Sequence, residues 1–296
     1  MDRSQIVQYL LAGITVGSIY AIVAIGFNII YNTTGLINFA QGEFLIVGAM
    51  TASSFCQWMP LPLAILLAVA ITTALGGLLE LVFIRRARDA TVLQLIVITI
   101  GLSILMREGM LHAWDEKDRA LPFFTGTDTS TVPLWGAHIS TQALWVLGTC
   151  AVIVAALTAF FRFTTAGRSM RACADDRMAA RLCGVNERRM VTLSFILSAG
   201  IGALAGCVIS PVTQTRYDMG ATLAIKGFTV AVLGGLGSSM AAVAAGLLLG
   251  LLEAFTVSQF QVAYKEIVSI VVLLLVLVCR PGGLFAPGGS GARGMP

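Results

Sequence analysis

Along most of this chain the apolar positions neither alternate nor recur every third or fourth residue; they run on without a break. Such runs predict helices that are apolar on every side, which need lipid or other helices around them. A bilayer crossing takes about 20 mostly apolar residues. The stretches 6–30, 37–57, 61–84, 91–111, 142–161, 191–212 and 240–258 meet that length or come close to it. Two more are weaker: 224–237, "AIKGFTVAVLGGLG", is short and glycine-rich, as a broken or re-entrant helix would be, and 267–279 is strongly apolar but also short. The expected fold is an all-α polytopic membrane protein, one transmembrane domain over 1–296 with eight to nine transmembrane segments.

Composition strengthens that reading. The chain is 57% hydrophobic and 11% charged, with a mean hydropathy of +0.88, whereas a soluble domain carries about a quarter charged residues. Its 31 glycines include GxxxG pairs at Gly13/Gly17, Gly202/Gly206 and Gly246/Gly250, a spacing that lets helices approach closely. The first apolar run is too long for a signal peptide and lacks a cleavage site, so it reads as a first span. The six cysteines show no CxxC or metal spacing and mostly sit in apolar runs, where packing is their role.

Charge then orients the segments. The connection 162–189 holds seven arginines against Asp175, Asp176 and Glu187, and "RRARD" (85–89) and "CRPGGLF" (279–285) are basic too. The connection 107–140 carries three basic and five acidic residues with an exterior texture of Pro, Trp and Ser/Thr. The positive-inside bias makes 163–190 a cytoplasmic loop and 112–140 an extracytoplasmic one. It favours nine crossings, with the N-terminus outside and the C-terminus inside. Segments 1–4 and 6–9 then form two blocks of four helices in opposite orientation, an inverted repeat of the kind found in transporters. Each block has a glycine-flanked second helix, "QGEFLIVGAM" and "KGFTVAVLGG".

The chemistry for catalysis is missing. His112 and His138 both fall in the exterior connection, so no histidine-based metal site or triad forms in the membrane. No GxxxxGK[ST] occurs, and "GGLGSS" at 234–239 lacks GxGxxG spacing and follows an apolar helix, so tight packing explains it better. No catalytic residue, metal or cofactor is expected in this chain.

Ionisable residues deep in a span cost roughly 2.5–3.5 kcal/mol each, and four stand out: Glu43, Glu80, Lys226 and Glu253. Glu80 is placed to snorkel towards Arg85 and Arg86, and Lys226 towards the outer end of its segment. Glu253, near mid-depth, either pairs with Lys226 or lines a pathway. Glu43 has polar company in "GLINFAQGEF": Asn38 and Gln41 beside it, Asn28 and Asn32 before it. On a helix Asn38, Gln41 and Glu43 fall on roughly one side. Polar groups at that depth must be buried in protein or face an aqueous cavity. Two compatible readings follow: a hydrogen-bonded network joining the first two helices, or the wall of a hydrophilic passage.

The interior segment "GRSMRACADDRMAARLCGVNERRM" (167–190) carries more structure than topology requires. Asp175 or Asp176 can cap a short helix, and Gly184 can end it in the left-handed conformation. Ala174, Met178 and Leu182 repeat every fourth residue opposite Asp175, Arg177 and Arg181, with Ala179 and Ala180 between. So short a helix does not persist alone in water, so a partner protein is expected to receive it.

"GLINFAQGEF", "ADDRMAARLCGVN", "KGFTVAVLGGLGS" and "RPGGLF", in that order, resemble the permeases of branched-chain amino-acid ABC importers, the LivH/LivM family, over nearly the whole chain. Gln41 occupies a position where LivH-like members commonly carry His. The interior segment resembles the family's coupling segment, with Ala179, Ala180 and Gly184 matching; its first Glu is absent, and Asp176 or Arg177 stands nearest. The resemblance implies a second homologous permease, two cytoplasmic ATP-binding subunits that bear the ATP, and an extracytoplasmic solute-binding protein. It implies no nucleic acid, and a substrate route near Asn28, Asn38, Gln41, Glu43 and Glu253. The alternative is an ion-coupled secondary transporter of small solutes.

Overall fold

A computed structural model describes residues 3–87, 90–127, 129–134, 137–260, 264–280 and 282–285. Arg88, Asp89, Asp128 and Pro281, part of the charge pattern or motifs above, lie outside the described residues. The chain is all-α apart from one hairpin. The helices are α1 (Arg3–Thr34), α2 (Gln41–Phe55), α3 (Leu61–Leu79), α4 (Val92–Trp114), α5 (Thr141–Phe163), α6 (Thr165–Asp175), α7 (Arg177–Leu182), α8 (Glu187–Thr213), α9 (Met219–Gly234), α10 (Ser239–Gln259) and α11 (Tyr264–Cys279). A π-helical turn, Glu80–Ile84, extends α3. Strands β1 (Thr131–Leu134) and β2 (Ala137–Ser140) pair antiparallel, Thr131 opposite Ser140, inside the connection between α4 and α5. Sequence analysis gave no sign of this hairpin.

Among the described residues six helices are long and apolar enough to cross a membrane: α1, α3 with its π turn, α4, α5, α8 and α10. α2, α9 and α11 have 15, 16 and 16 residues, about 22–24 Å of helix against about 30 Å of hydrocarbon. The helix expected over 37–57 is therefore shorter than drawn, and the reason is local. Gly35, at φ +67, ends α1, and the chain climbs back non-helically through 36–40 before α2 begins. A Cβ on Gly26 would lie 2.2 Å from the Gln41 side chain, so α2 starts level with a residue eight positions before the end of α1, about 12 Å up. α2 thus begins inside the bundle.

α1 and α8 form the centre: 67% of each apolar window is buried, against 22% in α4 and α5. The packing is reciprocal. α1 lies on α10 as α3 lies on α8; α9 lies on α1 as α2 lies on α8; α2 contacts α3 and α4 as α9 contacts α10 and α11. Glycines set the spacing. A Cβ on Gly17 would be 2.6 Å from the Gly246 carbonyl, and one on Gly206 would be 1.9 Å from that of Leu45. Leu66, Leu93, Leu105, Val152 and Leu275 are exposed on the outer helices, as lipid- or subunit-facing residues would be.

One end of the bundle gathers the start of α1, the hairpin and the α8–α9 link. The Gln8 side chain exchanges two hydrogen bonds with the His138 backbone (2.9 and 3.0 Å), and Arg119 pairs with Thr215. At the opposite end Leu284 of the terminal "RPGGLF" donates its backbone N–H to the Leu233 carbonyl at 2.8 Å.

Candidate functional site

The N-terminal turns of the two short helices α2 and α9 meet inside the bundle. A Cβ on Gly42 would lie 1.9 Å from the Gly220 carbonyl oxygen, and one on Gly220 would lie 2.4 Å from Glu43 Oε2. No residue larger than glycine fits at Gly42 as the backbones stand, whereas a Cβ on Gly220 would meet only the Glu43 carboxylate. Glu43, 0% exposed, accepts a 2.9 Å hydrogen bond from Ser103, midway along α4. Arg107 Nη2 stands 3.7 Å from the same carboxylate oxygen. Among the described residues, Glu43 Oε2, the Nε of Arg107 and Asn38 Nδ2 are buried without a partner. From Arg107 the charges continue outwards to Asp218, the N-cap residue of α9, and Arg216. Arg216 forks onto Asp218 with two 2.6 Å hydrogen bonds. That fork, with help from the Arg107 charge, holds the Asp218 carboxyl below the usual carboxylate range.

Gln41 belongs to a different contact. It donates to the Ser198 carbonyl at 3.3 Å, and its Oε1 shares the single Ser198 hydroxyl proton with the Gly26 carbonyl, 2.8 Å from that hydroxyl. Asn38 precedes α2, its Oδ1 accepting from the Ala40 N–H at 3.1 Å. The expectation that Asn38, Gln41 and Glu43 share one side of a helix is therefore corrected. Asn38 is not helical, and residues two apart are about 200° apart around the axis, so Gln41 faces α1 and α8 while Glu43 faces α4 and α9.

Asn28 lies elsewhere again, taking the Gly237 N–H (3.1 Å) and donating to the Ser238 carbonyl (3.2 Å) to brace the α9–α10 turn. Asn32 donates to the Gly237 carbonyl at 2.9 Å. Glu253 forms a third group. Lys226 lies 2.6 Å away, Tyr20 donates its hydroxyl at 2.8 Å, Ser269 donates as well, and Lys265 stands 3.8 Å off. Lys226 also reaches Glu266 at 3.1 Å. It does not snorkel: it is buried at mid-length of α9 because Glu253 supplies the counter-charge there. Glu80 does not snorkel either, since Thr192 of α8 donates to it at 2.7 Å. The five expected pathway residues are all buried in the chain. None of them lines the cleft of about 760 Å³ beside α7 or the groove of about 510 Å³ between α1 and α5.

The segment 167–190 between α5 and α8 folds as two helices rather than one. Thr164 caps α6. Asp176, not Asp175, caps α7, accepting from Met178 N (2.8 Å) and Ala179 N (3.0 Å). Gly184, at φ +84, ends it: Gly184 N bonds the Arg181 carbonyl and Val185 N the Ala180 carbonyl, each at 3.0 Å, the paired closure that a left-handed residue permits. Ala174 falls on α6, so the apolar stripe on α7 shrinks to Met178 and Leu182, 65% and 83% exposed, with Ala180 turned inward. Arg181 pairs with Glu187; Asp175 and Arg177 are exposed.

Comparison with known proteins now decides the class. Residues 9–277 match the family described as the permease component of the branched-chain amino acid transport system. The chain belongs to this family. It is 34% identical over 294 residues to the high-affinity branched-chain amino acid transport system permease protein BraD of Pseudomonas aeruginosa, covering 94% of each chain. It is 33% identical to LivH of Salmonella typhimurium, again over 94% of each. The solved structure titled PsaBC from Streptococcus pneumoniae in complex with Fab shares the fold, with a TM-score of 0.50 at 14% identity over 91% of this chain and 90% of that one.

The permease family is a transport family and not an enzyme family. Ser103, Arg107, Ser198 and Asp218 around α2 and α9, Thr192 beside Glu80, and Tyr20 and Ser269 beside Glu253 are partners that sequence reasoning missed. The signal for Arg107 was present: an arginine seven residues before the end of an apolar helix needs a counter-charge, and Glu43 was without one.

Proposed function

We propose that this permease is the translocating subunit of an ABC importer in a bacterial inner membrane. Nine helices are threaded with the N-terminus outside and α6–α7 inside. The reciprocal packing of α1–α4 and α8–α11 supports two inverted repeats about the α2–α9 contact. Two cytoplasmic subunits hydrolyse ATP, a second homologous permease completes the pathway, and an extracytoplasmic protein delivers a branched-chain amino acid or a similar small zwitterion. Family membership supports the permease assignment, and the distribution of Lys and Arg supports the orientation.

One observation carries the translocation reading: a buried carboxylate, Glu43, with one oxygen unpartnered, at the touching N-terminal turns of two short helices. A buried oxygen left without a hydrogen-bond partner is expensive even where its carboxylate has a cation nearby, and ionisable groups inside a membrane mark functional sites. Parting the α2 and α9 turns uncovers Glu43 to a solute arriving along Arg216, Asp218 and Arg107. Gln41 and Asn38 hold the α2 turn in place, Asn28 braces the α9–α10 turn, and Glu253 fixes α9 and α10. Asp175 to Gly184 form the ATPase-coupling element, with Met178 and Leu182 as its anchors.

The test replaces Glu43 in the assembled transporter. Glu43→Ala is expected to abolish uptake while the subunits still co-purify, and Glu43→Gln to retain assembly with reduced uptake. A Glu43→Ala complex that falls apart, beside a Glu43→Gln complex transporting at full rate, makes the residue structural and ends the pathway reading. Ion-coupled transport, the alternative, leaves the capped α7 and its exposed anchors without a use.

A further inference from the structure

The groove of about 510 Å³ lies away from Glu43, between α1, α5 and the turn into α10. Its deeper wall is apolar, from Ile25, Val154, Leu157 and Phe161. Its end is polar: Arg162, Arg171, Ser238 and Ser239 line it beside Asn32. No acidic side chain contributes to the lining. The change from apolar to polar runs along the helices. Val154 and Arg162 are eight residues apart on α5, about 12 Å, as are the upper acyl chain and headgroup of a phospholipid in order of magnitude.

The two arginines are available. Arg171 uses one amino group on the Phe161 carbonyl at 2.6 Å, leaving other donors of its guanidinium. Arg162 stacks on Phe163 at 5.5 Å with its edge unencumbered. The larger cleft beside α7 differs: its arginines share it with Glu80 and Glu187, and Arg181 is already paired with Glu187. A net-cationic end on an apolar groove is specific to the α1–α5 site among the clefts described.

We propose that this groove binds an anionic phospholipid, its phosphate held by Arg162 and Arg171 and its proximal acyl chain laid on Val154, Leu157 and Phe161. Charge complementarity selects the headgroup, since basic pockets between membrane helices hold anionic lipid, and the apolar wall selects an amphiphile over a free anion. The site is independent of the translocation reading; it requires only that α1 and α5 cross a membrane. It also ties α6, which bears Arg171, to the bilayer and so steadies the approach to α7.

The experiment is native mass spectrometry of the full chain, with the subunits it retains, released from micelles doped with phosphatidylglycerol or phosphatidylcholine. Phosphatidylglycerol should be retained in preference to phosphatidylcholine. Arg162→Gln with Arg171→Gln should lower that retention about thirtyfold, the factor expected for two interfacial arginines. Leu157→Trp, which fills the groove and leaves the charges, should lower it too, and Arg162→Lys with Arg171→Lys should restore part of it. Inorganic phosphate at millimolar concentration should not compete. Equal retention of the two lipids, or retention indifferent to both the Gln pair and Leu157→Trp, overturns the proposal. Competition by inorganic phosphate assigns the arginines to a soluble anion and overturns it equally.

Discussion

Glu43 shows how closely this protein binds sequence to geometry at the scale of a residue. Beside it, a Cβ on Gly42 would lie 1.9 Å from the Gly220 carbonyl oxygen, so Gly42→Ala should force α9 away from α2. Such overpacking costs typically about 1–3 kcal/mol, and thermal unfolding of the purified chain should fall accordingly, with uptake lost. An unchanged melting profile would show that the α2–α9 contact is loose. Lys226 supplies a second test. It is the nearest cation to Glu253, and Lys226→Met leaves a buried carboxylate short of charge, a loss of about 3–5 kcal/mol. Lys226→Met with Glu253→Leu should recover much of it, since a matched apolar pair removes both desolvation penalties. If the double variant is no more stable than Lys226→Met, the pair is not the unit that matters. The ionisable residues were legible in the sequence, and so was the Lys226–Glu253 pairing. The partners of Glu43 and Glu80 were not, because Ser103, Arg107 and Thr192 come from helices 60 or more residues away, which no local pattern records.

At the scale of elements the apolar runs located the long helices to within a few residues, because length and hydropathy decide a span. They misjudged the start of α2. The residues 37–40 are as apolar as a helix, but Gly35 reverses the chain and α2 waits for the turn at Gln41. The hairpin β1–β2 was missed since its strands are four residues each and lie in a polar connection. For the interior segment the caps were readable and the single helix was not: Asp176 both ends α6 and begins α7, which breaks the stripe at Ala174. Asp176→Ala removes two hydrogen bonds to α7 and should cost about 1 kcal/mol of local helix stability. In the assembled transporter it is expected to slow ATP-driven uptake and leave membrane insertion intact. Met178→Asp with Leu182→Asp should act more severely. Buried interface anchors cost about 2 kcal/mol or more, so the ATP-binding subunits should no longer co-purify. Full co-purification and uptake with both aspartates in place would reduce α7 to a topology signal.

At the scale of the whole molecule the chain builds a bundle around α1 and α8 with two short helices meeting inside it, and it carries no loop suited to nucleotide phosphates in its sequence. The reciprocal contacts support the inverted repeat proposed above, which two glycine-flanked segments only hinted at. The central claim is that this permease moves its solute only when partner subunits spend ATP. Uptake of radiolabelled leucine into proteoliposomes measures that most directly, comparing the complete transporter with ATP enclosed, the complete transporter without ATP, and this chain alone under an imposed proton or sodium gradient. The account predicts accumulation in the first case only. Accumulation by the chain alone, driven by an ion gradient and indifferent to ATP, would contradict it.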